Sequence, residues 1–142
     1  MAIRWRDNAS PQAQDDIDTL FADCLDLVRR NLTEDRGFDP FAAVISETGA
    51  RNIRLAPTVA ATKTAIHQAL TTAADRTESR AVAIAMDVTT PDGGDAAELL
   101  IEHAEGIAIQ IIIPYTTTPQ VALATDHSTT ALAERRIWGL RL

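Results

Sequence analysis

The chain has 142 residues, a formal net charge of −7 and a sequence pI near 4.8. This acidity excludes a class of protein that binds nucleic-acid phosphates through clustered lysine and arginine, and aromatic residues, at 4%, are too few for base stacking. Apolar residues make up 46%, enough for the core of one domain covering residues 1–142, but no segment approaches the roughly 20 apolar residues that span a membrane.

The N-terminal residues and the cysteine content predict a cytoplasmic protein. The segment from Met1 to Asp16 carries charges and a proline but no apolar stretch of the kind found in secretory signals. Cys24 is the only cysteine, so no internal disulfide can form. Lys63 is the only lysine among abundant arginine, alanine and threonine, a composition that we attribute to GC-rich coding and a bacterial origin.

The first predicted element is an amphipathic helix that begins at Ser10 and Pro11 and ends at Arg29-Arg30. Serine is a preferred N-cap and proline suits the first helical position. The apolar positions follow helical spacing and are Ile17, Leu20, Phe21, Cys24, Leu25 and Val28. Cys24 is therefore interpreted as a small core residue and not as a reactive thiol.

A β-hairpin is predicted next. Phe41 to Ser46 forms the first strand, Glu47 to Ala50 the turn, and Arg51 to Ala56 an exposed second strand. A second helix is then expected from Thr58 or Thr62 to about Asp75. Its alanines recur every four residues, at Ala61, Ala65, Ala69 and Ala73.

Three alternating segments between Arg80 and Tyr115 predict an antiparallel meander. Its two turns are Pro91–Asp95 and Ala104–Gly106. One face of the first strand carries Ala81, Ala83 and Ala85, which we expect to pack against the alanine stripe of the second helix. The third strand carries Ile107, Ile109, Ile111 and Ile113 on one face and is placed at the centre of the sheet, where it is protected from aggregation.

The C-terminal part is predicted to form a short strand within Gln120–Thr125 and a last helix from Ser128 or Thr129 through Trp138. The fold class is thus α+β, with an antiparallel sheet of about five or six strands and the element order α-ββ-α-βββ-(β)-α. This order resembles the profilin-like fold, including the roadblock-type regulatory domains. The resemblance is one of architecture, and architecture does not imply function.

Four acids cluster around the first meander turn: Asp87, Asp92, Asp95 and Glu98. An EF-hand calcium loop needs a different spacing and length, whereas Asp-Gly is typical of a tight turn. We therefore attribute these acids to turn and surface structure. No metal and no cofactor are expected.

His103 is the histidine closest to other chemically active side chains, beside Glu102 and Glu105. A metal site would need a further ligand from His67 or His127, so a solvated histidine at a strand end is the preferred interpretation. The consecutive residues Asp126, His127 and Ser128 cannot form a catalytic triad, because adjacent residues cannot place the acid, the base and the nucleophile in the required chain of hydrogen bonds. No catalytic residue is assigned.

Trp5 and Trp138 lie near the two ends of the chain. Tryptophan is enriched at interface hot spots, so both are candidates for contact with a partner. The alternative is that each tryptophan anchors its terminus to the core of the chain itself.

Three hypotheses about function follow. The first is a non-enzymatic protein-interaction module that binds another protein or itself as a homodimer: a regulatory adaptor, an acidic secretion-type chaperone, or an immunity-like inhibitor of a basic toxin. The second is a small-ligand binding or sensing domain with a pocket lined by Tyr115 and His103. The third, less favoured, is a small enzyme that uses His103 with nearby carboxylates.

Overall fold

One long helix packs on one face of an antiparallel sheet. The structure, a computed structural model, describes residues 5–35, 37–55, 65, 78–133, 135 and 137–138. A short 3-10 helix at Trp5–Asn8 is followed by α1, Pro11–Asp35. The strands are β1 Phe41–Ser46, β2 Arg51–Leu55, β3 Ser79–Thr89, β4 Asp95–His103, β5 Ile107–Thr116, β6 Ala122–Leu123 and β7 Thr129–Leu132. The α+β class is therefore confirmed.

The described strands form one sheet in the order β2-β1-β3-β4-β5, and β6 and β7 share the outer side of β5. All the pairings are antiparallel. The hairpin and the meander lie where the sequence predicts them. The isoleucine-rich β5 is paired on both sides, as expected for a strand of such apolar character.

Helix α1 begins as predicted but extends further. The Ser10 hydroxyl accepts a hydrogen bond from the Ala13 backbone N–H at 3.0 Å, which confirms the N-cap. The helix continues past Arg30 to Asp35 because Leu32, one turn after Val28, is also fully buried. Within the described part of the chain, no helix is both long and apolar enough to cross a membrane.

The alanine face of β3 packs against α1. Ala81, Ala83 and Ala85 are buried in one cluster with Leu20 and Cys24 of the helix. The prediction that this face needs a closely packed helix is right, and among the described residues α1 supplies that helix. The predicted second helix lies outside the described residues, apart from Ala65, which is helical.

The opposite face of the sheet holds a second, smaller cluster. Its buried members are Ala42, Val44, Val82, Ile84, Met86 and Ile137. Trp138 packs against this cluster, and the backbone N–H groups of Ile137 and Trp138 donate to the buried Glu102 carboxylate at 3.0 and 2.6 Å. Residues near the C-terminus are thereby attached to the face that α1 does not cover.

The predicted last helix is wrong. Thr129–Leu132 is instead the edge strand β7, which pairs with Ile109–Ile112 of β5. The β-branched Thr129 and Thr130 favour a strand, and the unpaired outer edge of β5 supplies hydrogen-bonding partners that a sequence pattern does not reveal. Ser128, proposed as a helix cap, instead donates its hydroxyl hydrogen to the Thr125 carbonyl at 2.8 Å.

Candidate functional site

A buried polar cluster joins the start of α1 to the sheet. Asp16 of α1 accepts hydrogen bonds from Arg80 Nε at 2.9 Å and Arg80 Nη2 at 3.0 Å. His103 Nε2 lies 2.9 Å from the same carboxylate. The side chains of Asp16 and His103 are 7% and 3% exposed, so this carboxylate is almost removed from water.

The surroundings of His103 do not favour a role in proton transfer. Its Nδ1 accepts the Glu105 backbone N–H at 3.1 Å, so Nε2 carries the proton and donates it to Asp16. Both ring nitrogens are thus occupied, and His103 lines neither of the two large recesses described below. The prediction of a solvated strand-end histidine is wrong, because α1 covers this end of β4.

The cluster continues to the N-cap of α1. The Ser10 hydroxyl, which accepts from Ala13, donates its hydrogen to Glu105 Oε2 at 2.6 Å. Glu105 belongs to the turn between β4 and β5, so side-chain bonds hold that turn against the helix. This arrangement explains the cluster as a structural connection between distant parts of the chain.

Tyr115 lies at the other end of the sheet from His103. His103 pairs with Ile107, and Tyr115 is eight residues further along β5, about 27 Å away for an extended strand. The two side chains therefore do not line one pocket. The Tyr115 hydroxyl donates to Asp87 Oδ1 at 2.6 Å, and burial together with this carboxylate raises the pKa of Tyr115.

The acids near the first meander turn have separate roles. Asp92 accepts from the Thr90 hydroxyl and from the Gly94 N–H, contacts that hold its pKa below the ordinary value. Glu98 lies on the face of β4 opposite α1 and accepts from Gln110 at 2.9 Å. Among the described residues, no group of three or more His, Cys, Asp or Glu side chains is placed to hold a metal ion.

The two tryptophans contact opposite faces of the sheet. Trp5 packs against the cluster under α1, with the Arg6 guanidinium 4.4 Å from its ring centroid. Trp138 packs against the second cluster. Both are partly buried against the chain itself, which is the arrangement expected of anchors.

An open, partly apolar surface lies between α1 and β2. Helix α1 covers β1, β3 and β4 but leaves the adjoining face of β2 uncovered, where Ile53 is 45% exposed and Leu55 is 73% exposed. Two recesses that share Leu27 and Ile53 open here, with volumes of about 320 and 890 Å³. We call them together the α1–β2 groove; its other apolar lining residues are Leu20, Ala43, Val44, Phe38, Phe41 and Leu55.

The groove borders an edge of the sheet. β2 pairs with β1 alone among the described strands. The Ser46 N–H donates to the Ala50 carbonyl at 2.8 Å, and antiparallel pairs alternate between bonded and non-bonded positions. The backbone groups of Arg51, Ile53 and Leu55 consequently point away from β1, toward the open edge.

The two recesses of the groove differ in charge. In the smaller one, Arg51 pairs with Asp23 at 3.3 Å and Arg30 with Asp26 at 3.6 Å, so the charges balance. The larger recess contains the carboxylates of Asp39 and Asp87 with Asn31, and no arginine or lysine among its described lining residues.

The groove is the site that sequence reasoning missed. The exposed character of β2 was predicted, and the apolar Ile53 and Leu55 are visible in the sequence as alternate positions of that strand. Their position beside Leu27 of the helix depends on the tertiary arrangement.

Comparisons of the chain with protein-family models, with curated proteins and with solved structures find no match.

Proposed function

We propose that this protein is a non-enzymatic interaction module that binds another protein at the α1–β2 groove. The observation that carries the proposal is the pair of exposed apolar side chains, Ile53 and Leu55, on an edge strand beside a recess that also contains Leu27. A surface with an apolar centre and a charged rim has the composition of a protein interface. An open edge strand also offers unsatisfied backbone groups to a second chain.

Exposure alone does not distinguish this edge from the other one. Leu132 on β7 is 72% exposed, almost the same as Leu55. Leu55, however, lies two residues from Ile53 and lines the larger recess with Leu27, whereas Leu132 lines neither recess of the groove. The contiguous apolar surface therefore favours the β2 edge.

The finer assignments stay predictions. The order of α1, the β1–β2 hairpin and the β3–β5 meander supports the resemblance to the profilin-like fold. The predicted second helix lies outside the described residues, and β7 stands in place of the predicted last helix. Adaptor, secretion-type chaperone and immunity-like inhibitor all remain compatible with binding at this groove, as does a homodimer.

The proposal is tested by site-specific cross-linking in the native host. A photo-reactive amino acid at Ile53 is expected to capture a partner, which is then purified and titrated against the wild-type chain. Leu55→Asp places a charge in the apolar centre of the interface and is expected to weaken binding at least about tenfold, equivalent to about 1.4 kcal/mol.

Leu132→Asp is the matched control, since it introduces the same charge at an equally exposed leucine on the opposite edge. Its affinity for the partner is expected to stay at the wild-type value. Equal loss in the two variants, or no product at Ile53 beyond that seen with the photo-reactive group at Leu132, contradicts the proposal. Capture of a second copy of this chain identifies the homodimer as the assembly formed at the groove.

A second candidate function is small-ligand binding in the larger recess. Its volume of about 890 Å³ lies within the range of roughly 300–1,000 Å³ typical of ligand pockets, and Asn31, Asp39 and Asp87 provide polar groups. Thermal-shift measurements with a metabolite library test this function. A stabilising compound whose effect is lost in Asp87→Asn supports it, and the absence of any such compound counts against it.

A further inference from the structure

We infer that the α1–β2 groove accepts an extended segment of a partner protein that pairs with the outer edge of β2 and carries lysine or arginine at the end of the groove where Asp39 and Asp87 lie. This inference rests on the proposed function and specifies the kind of partner. Its three components are backbone pairing, apolar side chains at alternate positions, and a complementary positive charge.

The backbone of β2 favours an extended occupant. The N–H and C=O groups of Arg51, Ile53 and Leu55 point toward the open edge, at intervals of two residues. An added strand satisfies donors and acceptors of this spacing, whereas a helix keeps its backbone hydrogen bonds within itself. An extended segment therefore uses a feature of this edge that a helical partner leaves unused.

The side chains of the groove match the same spacing. Ile53 pairs with Ala43 and Leu55 with Phe41, so both lie on the face of the sheet that α1 packs against. Alternate side chains of an added strand lie on that same face, about 7 Å apart, beside Leu27 of the helix. Apolar residues at every second position of the partner would cover the exposed surfaces of Ile53 and Leu55.

The charges at the groove indicate that the partner segment is positively charged. Arg30 and Arg51 are already paired within the chain, whereas Asp39 and Asp87 are in no ion pair among the described residues. The Asp87 carboxylate accepts the Tyr115 hydroxyl through Oδ1, which fixes its position at the recess. A basic side chain at this end of the groove is attracted by the carboxylate of Asp39 and, at longer range, by that of Asp87, because β3 lies about 14 Å from a strand added to β2. The net charge of −7 attracts such a partner from further away.

The same charge balance disfavours a second copy of the chain as the occupant. Two molecules of net charge −7 repel each other. Of the two arginines of β2, Arg54 pairs with Ala42 and so lies on the face opposite α1, away from the groove. The arginine of a second β2 at position 51 is held by its own Asp23 at 3.3 Å. A different protein with a basic, alternating segment fits the groove better.

Two fluorescein-labelled ten-residue peptides test the inference by fluorescence polarisation. Both alternate valine with threonine, and one valine on the groove side is replaced by arginine in the first peptide and by glutamate in the second. The arginine peptide is expected to bind at least about tenfold more tightly at low salt, a preference that 0.5 M salt reduces. A third peptide has the sequence of the arginine peptide but is N-methylated at the alternate backbone amides that face β2. It is expected to lose binding because it cannot donate the backbone hydrogen bonds of an added strand.

Asp39→Asn/Asp87→Asn is expected to abolish the preference for arginine, and Asp39→Asn alone to reduce it. Asp7→Asn/Asp126→Asn is the matched control, because it removes the same net charge from exposed positions outside the groove. Hydrogen exchange at the amides of Ile53 and Leu55 should slow on binding of the arginine peptide.

Three results would overturn the inference: equal affinity for the arginine and glutamate peptides, full binding of the N-methylated peptide, or failure of every peptide to bind. The proposed function has a separate test. If the peptides fail while Leu55→Asp still weakens binding of the cross-linked partner, the groove binds a partner of another shape and only this inference is wrong. Failure of both tests removes the proposed function as well.

Discussion

Replacing Asp16 by alanine tests whether the buried polar cluster holds α1 on the sheet. The carboxylate accepts two hydrogen bonds from Arg80 and one from His103, at 2.9 to 3.0 Å. The substitution removes all three at once. It leaves Arg80 Nε–H, Arg80 Nη2–H and His103 Nε2–H without their acceptor, while Arg80 Nη1 keeps its bond to the Glu47 carbonyl.

The expected loss of stability follows from the exposure of the two donor side chains. Removing one partner of a buried ion pair costs about 3–5 kcal/mol. The Arg80 side chain is 24% exposed and is partly rehydrated, whereas the His103 side chain is 3% exposed and is not. We therefore expect the lower end of the range, about 3 kcal/mol, which lowers the Tm of a domain of this size by roughly 10 °C.

Urea denaturation followed by circular dichroism measures this free energy of unfolding. Asp18→Ala is the matched control on the same helix, since Asp18 pairs with Arg6 at 52% and 50% side-chain exposure. An exposed pair of this kind contributes less than about 1 kcal/mol. A double-mutant cycle of Asp16→Ala with Arg80→Met should give a coupling energy above about 1 kcal/mol.

The reasoning is refuted if Asp16→Ala costs no more than Asp18→Ala at an unchanged m-value. That result would mean that the cluster is hydrated in solution, or that apolar packing beneath α1 alone fixes the helix. A large loss with no coupling to Arg80 would instead assign the effect to His103.

Two further predictions concern buried groups elsewhere. Burial raises the pKa of the Cys24 thiol, so above about pH 8.5 only the unfolded state loses this proton and stability falls as pH rises. Between pH 8 and 10, the free energy of unfolding measured in urea should fall by about 2 kcal/mol more for wild type than for Cys24→Ala. The same fall with pH in the two proteins would contradict this prediction. Glu102→Gln removes one of two acceptors for the N–H groups of Ile137 and Trp138, at a cost of about 1–3 kcal/mol. In a Trp5→Phe background, the emission of Trp138 should shift to the red, whereas the exposed Glu34→Gln should leave it unchanged.

Local patterns predict most of the elements in the described part of the chain. The bounds of β1, both meander turns and the N-cap of α1 agree with the structure because each depends on neighbouring residues: alternation, glycine at a turn, and serine before proline. Gly93 and Gly106 have φ angles of 88° and 112°, a conformation that the turns require and that glycine adopts without strain. The burial of Cys24 follows from helical spacing in the same way.

Contacts between distant segments depend on the tertiary structure. Nothing near His103 in the sequence indicates that Asp16, 87 residues away, accepts its hydrogen bond, and a turn-end histidine reads as solvated until α1 is placed over it. The pattern around Thr129 is ambiguous by itself, and the free edge of β5 decides that it becomes a strand.

The sequence by itself determined the α+β class, the acidic charge and an exposed β2, because composition and periodicity act locally. Only the tertiary structure decided that α1 covers the alanine face and stops short of β2. Ile53 and Leu55 therefore remain exposed beside Leu27, because the helix is too narrow to cover the whole sheet face. The α1–β2 groove, with two carboxylates that are in no ion pair among the described residues, is a consequence of that incomplete cover.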